Sequence, residues 1–311
     1  MILVSGGTGF VGRALIRQLA ERELPVRTLV RPSRISPDLP RGIPVEIAVT
    51  SLADRRGLQA AMVGVEAIYH LASSEWRTTR TGLMDVEIQG TRMLVEAAAE
   101  SGVKRILYVS HLGADRASAY PMLKAKAIAE EYIRRSGLDY TILRSAIVFG
   151  RQDHFTTNLA RLLRSVPYLF LVPGDGKNLV QPFWVEDLAT CLTWALDDSD
   201  THNRIFEVGG PEYFTFRQVV EMVMQASGIR RRLFYTRPPY LRSLSVVLEP
   251  LFPRLPVTTY WIDYLASNRT TALDSVPREF RLAPARFGQK LDYLKGQDLR
   301  VQLGNAAYPR R

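Results

Sequence analysis

Three glycines near the amino terminus have a spacing that suits the binding of a phosphate group. Gly7, Gly9 and Gly12 form the pattern G-x-G-x-x-G between an apolar run, Ile2–Ser5, and a helical pattern that begins at Phe10. Glycines are required because the turn is tight and because the backbone must approach a pyrophosphate at the amino end of the helix. In this strand–turn–helix context the pattern predicts a dinucleotide site.

The residues after the second predicted strand bear on the choice of dinucleotide. In such a unit an acidic residue normally ends this strand and binds the adenosine ribose of NAD. Here the strand ends at Arg31, Ser33 and Arg34 follow, and the first carboxylate comes at Asp38. Guanidinium groups bind a 2′-phosphate through charge-assisted hydrogen bonds, so the sequence favours NADP over NAD. The alternative is that both arginines belong to a solvated basic loop.

Short β-branched runs alternate with helical patterns over the first half of the chain, which is typical of a parallel sheet with crossover helices. The predicted strands are Ile2–Ser5, Val26–Val30, Val45–Val49, Ala67–Leu71, Arg105–Ser110 and Tyr140–Arg144. Further helices are predicted from Leu83 to Ser101, from Pro121 to Ser136 and over Val185–Leu196, and Arg204–Val208 is a candidate seventh strand. The fold class is therefore α/β, a doubly wound parallel (Rossmann) sheet with a smaller C-terminal substrate or lid lobe.

The domain organisation follows from the same pattern. Residues 1–150 and about 180–210 are expected to form the dinucleotide-binding domain, whereas about 151–179 and 211–311 form the smaller C-terminal lobe. The composition, with 46% hydrophobic and 23% charged residues, excludes a disordered or fibrous chain. The single cysteine, Cys191, excludes an internal disulfide. The four histidines share no metal-ligand spacing, so no metal site is expected.

Several sequence blocks together resemble the extended or atypical short-chain dehydrogenase/reductases. The blocks are Gly6–Gly12, His70–Ala72, Gly90-Thr91, Tyr108–Ser110, Ser136–Arg144, Val148–Gly150, Val185–Ala189 and Gly209–Pro211. Within that family, Gly150–Phe155 is similar to the branch of the NAD(P)H-binding accessory subunit of respiratory complex I. The resemblance covers about residues 1–230 and implies an NAD(P)-binding oxidoreductase fold.

The resemblance also implies which residues form the cofactor site. They are Gly6, Gly7, Thr8, Gly9, Phe10, Val11, Gly12, Arg31, Ser33, Arg34, Ser51, Leu52, Leu71, Ala72, Ser73, Ser110, Lys126, Ser145, Ala146 and Val148. Departures from the family pattern weaken part of this set. Thr50-Ser51-Leu52 replaces the family's Gly-Asp-Leu at the adenine contact, and Ser145 replaces a common proline.

Enzymes of this family use a Tyr-x-x-x-Lys pair with an upstream serine, in which the lysine lowers the pKa of the tyrosine. Tyr120 and Lys124 have that spacing, and Ser110 lies upstream. Aligning the downstream block without a gap instead places the family lysine on Lys126 and the tyrosine on Met122. Pro121 supports this second register, because a following proline holds Tyr120 outside the helix.

Two further residues bear on catalysis. Glu87 stands where the family usually has the asparagine of its proton relay, so the relay is in doubt. His111, next to Ser110, is a candidate replacement acid because histidine titrates near neutral pH. Two function classes therefore remain: an NADP-dependent reductase of a hydrophobic carbonyl, quinone or isoprenoid-like substrate, and a non-catalytic NADPH-binding subunit, assembly factor or redox sensor.

The net charge of +10 is unevenly distributed. Residues 1–227 carry 26 basic and 25 acidic residues, whereas residues 228–311 carry 15 and 6. The apolar segment Tyr240–Leu255 lies in this basic region and suits either a lid helix or a membrane interface. A membrane surface, an anionic partner and an acidic substrate remain as alternatives, and nucleic acid is not expected. Because no signal peptide or membrane-spanning run is recognised, we expect a cytoplasmic or membrane-peripheral protein with an undetermined oligomeric state.

Overall fold

The centre of the molecule is a parallel β-sheet of seven strands. The computed structural model describes residues 1–34, 36–74, 82–251 and 259–295. The strands of this sheet are β1 (Ile2–Ser5), β2 (Val26–Val30), β3 (Glu46–Val49), β4 (Ala67–His70), β5 (Arg105–His111), β6 (Asp139–Ser145) and β11 (Arg204–Val208). Their order is β11-β6-β5-β4-β1-β2-β3, with every pairing parallel. The predicted doubly wound sheet is therefore confirmed, and Arg204–Val208 extends it.

Helices cover both faces of this sheet, because crossovers between parallel strands must pass over one face or the other. The helices of this part are α1 (Phe10–Glu21), α2 (Arg55–Ala61), α3 (Leu83–Gly90), α4 (Thr91–Glu100), α5 (Pro121–Arg134) and α7 (Val185–Asp197). Helices α1 and α7 contribute to one hydrophobic cluster, and α2, α4 and α5 contribute to the other. The strand order reverses between β1 and β4, which is where ligands bind in open α/β sheets.

The helix predicted from Leu83 to Ser101 has two parts. Its first segment, α3, is π-helical, and the regular α-helix α4 begins at Thr91. A π-helix widens each turn by one residue, and such segments are frequent at functional sites. Glu87, a charged residue in the middle of α3, is buried.

A third hydrophobic cluster lies mainly beyond residue 146. Its elements include β7 (Val148–Phe149), α6 (Thr156–Ser165), β8 (Leu169–Pro173), β9 (Leu179–Val180), β10 (Phe183–Trp184), β12 (Phe214–Thr215), α8 (Phe216–Ser227) and β13 (Arg232–Thr236). Helices α9 (Pro238–Leu251), α10 (Thr259–Tyr264) and α11 (Ser275–Phe280) follow. Three two-stranded sheets, β10-β7, β12-β9 and β13-β8, connect these elements.

The apolar segment predicted over Tyr240–Leu255 is helical as far as Leu251, and its last four residues lie outside the described residues. Within the part of the chain that the structure describes, no helix has both the length and the apolar character needed to cross a bilayer.

Candidate nucleotide and substrate site

The glycine-rich loop between β1 and α1 is packed tightly enough to require three of its glycines. Gly6 has φ +78°, and a β-carbon there would lie 2.6 Å from the backbone nitrogen of Ala72. A β-carbon on Gly12 would lie 2.2 Å from the Gly6 carbonyl oxygen, and one on Gly7 would lie 2.2 Å from the Thr28 hydroxyl. Gly9 differs, since its β-carbon would meet only the Gly6 oxygen at 3.1 Å. The space beside Gly9 is therefore largely open.

The amino end of α1 has the chemistry of an anion site. No side chain caps the helix at Gly9, and its first turn carries no acidic residue. The helix dipole and the unpaired amide groups of a first turn favour a negative charge. Arg13 steadies the loop by donating to the Thr8 carbonyl oxygen (2.9 Å) and to the Asp38 carboxylate (3.0 Å). This cradle fits the pyrophosphate of a dinucleotide.

Two exposed arginines follow β2, where the sequence predicts a 2′-phosphate site. Arg31, Ser33 and Arg34 are exposed. Asp38, the first carboxylate after the strand, pairs with Arg13. Within the described ranges, no carboxylate lies at ion-pair distance from Arg31 or Arg34.

The other predicted adenine contacts follow β3. Ser51 accepts a hydrogen bond from the backbone nitrogen of Ala53 (3.2 Å) and so supports the turn before α2. Leu52 is half-buried and packs close to Gly90, where α3 passes into α4. Leu52 therefore packs against the helix that carries Glu87.

A buried polar chain follows the carboxyl end of β4. Ser5 contacts Nδ1 of His70 (2.6 Å), and Thr91 contacts its Nε2 (2.8 Å). Burial, followed by the nearby Lys126 cation, lowers the pKa of His70 to about 3, so its ring is neutral. His70 thus holds the carboxyl end of β4 in place. The next residues, Leu71 and Ala72, contact Ser5 and the glycine loop.

Lys126 is paired with a buried carboxylate. Its Nζ lies 3.1 Å from Oε2 of Glu87, and the two side chains are only 3% and 1% exposed. The other oxygen of Glu87 accepts from the Ser73 hydroxyl (2.7 Å) and the Ser74 backbone nitrogen (2.6 Å). Lys126 also lies 5.1 Å from the centre of the Tyr108 ring. The sequence revealed an unusual Glu87 but not this ion pair, which depends on the depth of both side chains.

The residues proposed for acid–base chemistry differ in burial: Ser110 and Lys126 are buried, whereas Tyr120 is half-buried and Lys124 is exposed. Ser110 is buried on β5, and its hydroxyl has no hydrogen-bond partner among the described residues. Met122 and Lys126 are buried one turn apart on α5, whereas Lys124 is exposed. Tyr120 precedes the helix in an extended conformation (φ −91°, ψ 117°), as Pro121 predicts.

The Tyr120 ring lies 5.4 Å from the guanidinium of Arg269, a buried residue that sequence reasoning missed. His111, the other candidate acid, ends β5 with its ring centre 6.4 Å from that of Tyr260. Arg269 and Tyr260 carry no local sequence signal, since tertiary packing alone brings them to this site.

Ser145, Ala146 and Val148 lie where the chain leaves β6. Ser145 and Ala146 are buried, and Val148 is half-buried. The Ser145 carbonyl oxygen accepts from Leu112 (3.1 Å), and the Ala146 nitrogen donates to Val208 (2.8 Å). These bonds hold the ends of β5, β6 and β11 together.

A cavity of about 810 Å³ adjoins the first turn of α5. Its lining is mostly apolar but includes two arginines and one aspartate. The residues are Leu83, Tyr120, Pro121, Met122, Leu123, Pro239, Arg242, Ser243, Val246, Tyr260, Asp263, Tyr264 and Arg269. A smaller cavity of about 380 Å³ shares Tyr120, Leu123 and Arg269 with it. No group of histidine, cysteine, aspartate or glutamate side chains suited to a metal occurs in the described ranges.

The fold and the glycine loop define a class of NAD(P)H-binding proteins, and comparison with known proteins gives the same result. A family model described as NAD(P)H-binding matches residues 6–160. Subunit 9 of the NADH dehydrogenase (ubiquinone) 1 alpha subcomplex of Arabidopsis thaliana mitochondria is 30% identical, with 94% of this chain and 78% of that protein covered. The chain belongs to the atypical short-chain dehydrogenase/reductases and is related to this complex I accessory subunit.

Two other similarities extend beyond complex I. Sterol demethylase protein B of Methylococcus capsulatus is 29% identical, with 81% of this chain and 83% of that protein covered. The structure of a UDP-glucose 4-epimerase from Thermus thermophilus, in complex with NAD, has a TM-score of 0.71. Its sequence is 22% identical, and the superposition covers 94% of this chain and 97% of the epimerase chain. At this low identity the similarity supports the fold alone.

Proposed function

We propose that this protein binds NADPH and reduces a hydrophobic quinone or carbonyl compound. The observation that carries this proposal is the large, mainly apolar cavity beside Met122, one helical turn from the buried Lys126. By the family resemblance, Lys126 is expected to bind the cofactor ribose, which would place the reacting end of the cofactor near this cavity. The C-terminal lobe, about residues 151–179 and 211–311, would supply the far wall of the cavity.

Different residues of the chain would bind different parts of the cofactor. The amino end of α1 would bind the pyrophosphate, and Arg31 and Arg34 would bind the 2′-phosphate. Lys126, fixed by Glu87, would bind the ribose hydroxyls near Ser110. When bound, the nicotinamide supplies a hydride to the substrate. The Ser110 hydroxyl would then donate a hydrogen bond to the oxygen on which negative charge develops.

The replacement of the family tyrosine by Met122 favours a quinone among the hydrophobic acceptors. Reduction of a simple ketone leaves an alkoxide, which needs a strong proton donor at the site. Reduction of a quinone leaves a phenolate, whose conjugate acid titrates near pH 10 as tyrosine does. The phenolate therefore requires less protonation or charge stabilisation by the protein than an alkoxide does. The apolar lining provided by Leu83, Met122 and Val246 suits an aromatic or isoprenoid body.

A screen of NADPH oxidation tests this proposal. We expect hydrophobic quinones to be reduced faster than ketones of similar size, with Ser110→Ala slowing turnover roughly 10-fold or more. Tyr120→Phe should leave turnover within about twofold, because Tyr120 packs against Arg269. Failure of every quinone and carbonyl compound to oxidise bound NADPH would contradict the reductase proposal. A large loss in Tyr120→Phe would instead make Tyr120 the proton donor.

The choice of cofactor can be tested separately. Arg31→Asp should weaken NADPH binding roughly 10- to 100-fold, because a carboxylate would replace a guanidinium beside the 2′-phosphate. The affinity for NADH should change less than about threefold or should rise. Isothermal titration calorimetry with each cofactor measures the ratio of the dissociation constants for NADPH and NADH. Arg56→Asp, at an exposed arginine on α2, is the matched control, and equal losses for NADPH and NADH would contradict the assignment.

A second candidate function is a non-catalytic NADPH-binding subunit or assembly factor. The observation in its favour is the Glu87–Lys126 ion pair, because a neutralised lysine and Met122 together leave no activated tyrosine. The Arabidopsis relative is itself named as a subunit of a larger dehydrogenase. Tight NADPH binding without oxidation by any acceptor would support this candidate over the reductase.

A further inference from the structure

Two segments that are distant in sequence share an unusual charge pattern. Residues 154–174 and 222–248 together contain seven arginines but neither aspartate nor glutamate. The arginines are Arg161, Arg164, Arg230, Arg231, Arg232, Arg237 and Arg242. The chain as a whole has 31 acidic residues, so this separation of charge is local. Surfaces of one sign bind partners of the opposite sign.

The fold joins these two segments in one small sheet. Strand β8 of the first segment pairs in parallel with β13 of the second, placing Leu169 beside Arg232 and Leu171 beside Phe234. Arg231 reinforces this contact by donating to the carbonyl oxygens of Leu163 (2.9 Å) and Val166 (2.6 Å). The two acid-free segments therefore lie side by side in the fold.

One face of this small sheet is apolar and exposed. Along β8, Phe170 and Val172 are buried, whereas Leu169 is 53% and Leu171 40% exposed. Phe234 is 57% exposed, and Tyr168, just before β8, is 79% exposed. We call Tyr168, Leu169, Leu171, Arg232 and Phe234 the β8–β13 face. Exposed apolar side chains grouped in this way mark an interaction surface.

Most of the arginines in these two segments have no carboxylate partner among the described residues. Of the seven arginines, only Arg242 has a carboxylate at ion-pair distance within the described part of the chain, Asp263 at 3.4 Å. Arg230, Arg232 and Arg237 are exposed. A surface charge without a local counterion gains most from a partner that supplies many negative charges.

We propose that the β8–β13 face docks on the surface of an anionic lipid bilayer. A bilayer presents negative headgroups above hydrocarbon, and exposed leucine and phenylalanine side chains surrounded by arginines match that layering. Helix α9 follows β13 directly, exposes Tyr240 and Leu244, and lines the large cavity through Pro239 and Ser243. A bilayer-dissolved hydrophobic compound would therefore be near the cavity wall. The docking itself does not depend on the proposed reductase activity.

Vesicle flotation of the full chain tests this proposal. We expect binding to phosphatidylcholine vesicles that contain about 30% phosphatidylserine, little binding to phosphatidylcholine alone, and a decrease as salt rises. The triple variant of Arg230, Arg232 and Arg237 to glutamine should bind on the order of 100-fold more weakly. The double variant Leu171→Ser with Phe234→Ser should lose roughly 10-fold or more while keeping the salt dependence.

Matched controls separate this face from the general charge of the chain. The triple variant of Arg41, Arg56 and Arg134 to glutamine removes the same charge elsewhere, and Val49→Ser with Val63→Ser removes exposed apolar side chains elsewhere. Both controls should bind vesicles as the wild type does, and circular dichroism should show that all variants are folded. Equal losses in control and test variants, or no binding to anionic vesicles, would overturn the proposal. In the latter outcome a protein partner becomes the occupant of the face.

Discussion

Glu87→Leu is expected to lower the free energy of unfolding by roughly 3–5 kcal/mol. The substitution leaves the Lys126 ammonium without its carboxylate in a site where that lysine is only 3% exposed. Loss of the only carboxylate among the described residues at ion-pair distance from a buried ammonium is strongly destabilising, because neither the Val109 carbonyl at 3.4 Å nor the Tyr108 ring at 5.1 Å carries the negative charge of Glu87. Urea unfolding at neutral pH measures the difference.

Two controls make this result specific. The double variant Glu87→Leu with Lys126→Met should recover most of the lost stability, since apolar residues often replace a buried ion pair without cost. Glu46→Leu removes the partner of Arg27 in a pair whose carboxylate side chain is 52% exposed, and it should cost less than about 1 kcal/mol. If the free energy of unfolding of Glu87→Leu lay within about 1 kcal/mol of the wild-type value, the pair would contribute little to stability.

The sequence predicts the nucleotide-binding sheet well because that sheet is specified locally. Apolar β-branched runs gave strands such as β1 and β2 at their observed bounds, and glycines ended the predicted helices near their true ends. The π-helical form of α3 was not predictable, because a segment of 8 residues is too short for its apolar pattern to separate α-helical from π-helical periodicity. Packing of Glu87 against Lys126 accompanies this difference.

The site is predictable only where a motif lies in one continuous segment. The glycine loop and the basic residues after β2 belong to such segments, so their placement follows from the sequence. The β8–β13 face does not, since its two strands come from segments separated by α8 and other elements. Charge counting placed the basic excess after residue 227, whereas the hydrogen bonds from Arg231 to Leu163 and Val166 bring the end of α6 next to the same region. The apolar part of that surface is recognised only from the exposed fractions of Leu169, Leu171 and Phe234 in the folded chain.

Glu87→Asn combined with Met122→Tyr is expected to raise NADPH-dependent reduction of a hydrophobic ketone or aldehyde by on the order of 100-fold. Met122 borders the large cavity, so a tyrosine there has room to reach a substrate carbonyl. It would lie one turn before Lys126, whose positive charge would stabilise the phenolate and lower the pKa of the new tyrosine. The value of kcat/KM for each carbonyl compound measures the gain.

The single variants make the electrostatic argument testable. Met122→Tyr alone should gain much less than the double variant, because the Glu87 carboxylate 3.1 Å from Lys126 cancels the field that would activate the tyrosine. Met122→Phe with Glu87→Asn is the matched control, since it adds the ring without the hydroxyl and should show no gain. Unchanged kcat/KM in a folded double variant that still binds NADPH would mean that the cavity does not present carbonyls to this turn of α5. Equal gains with and without Glu87→Asn would show instead that the ion pair has no influence on the site's proton chemistry.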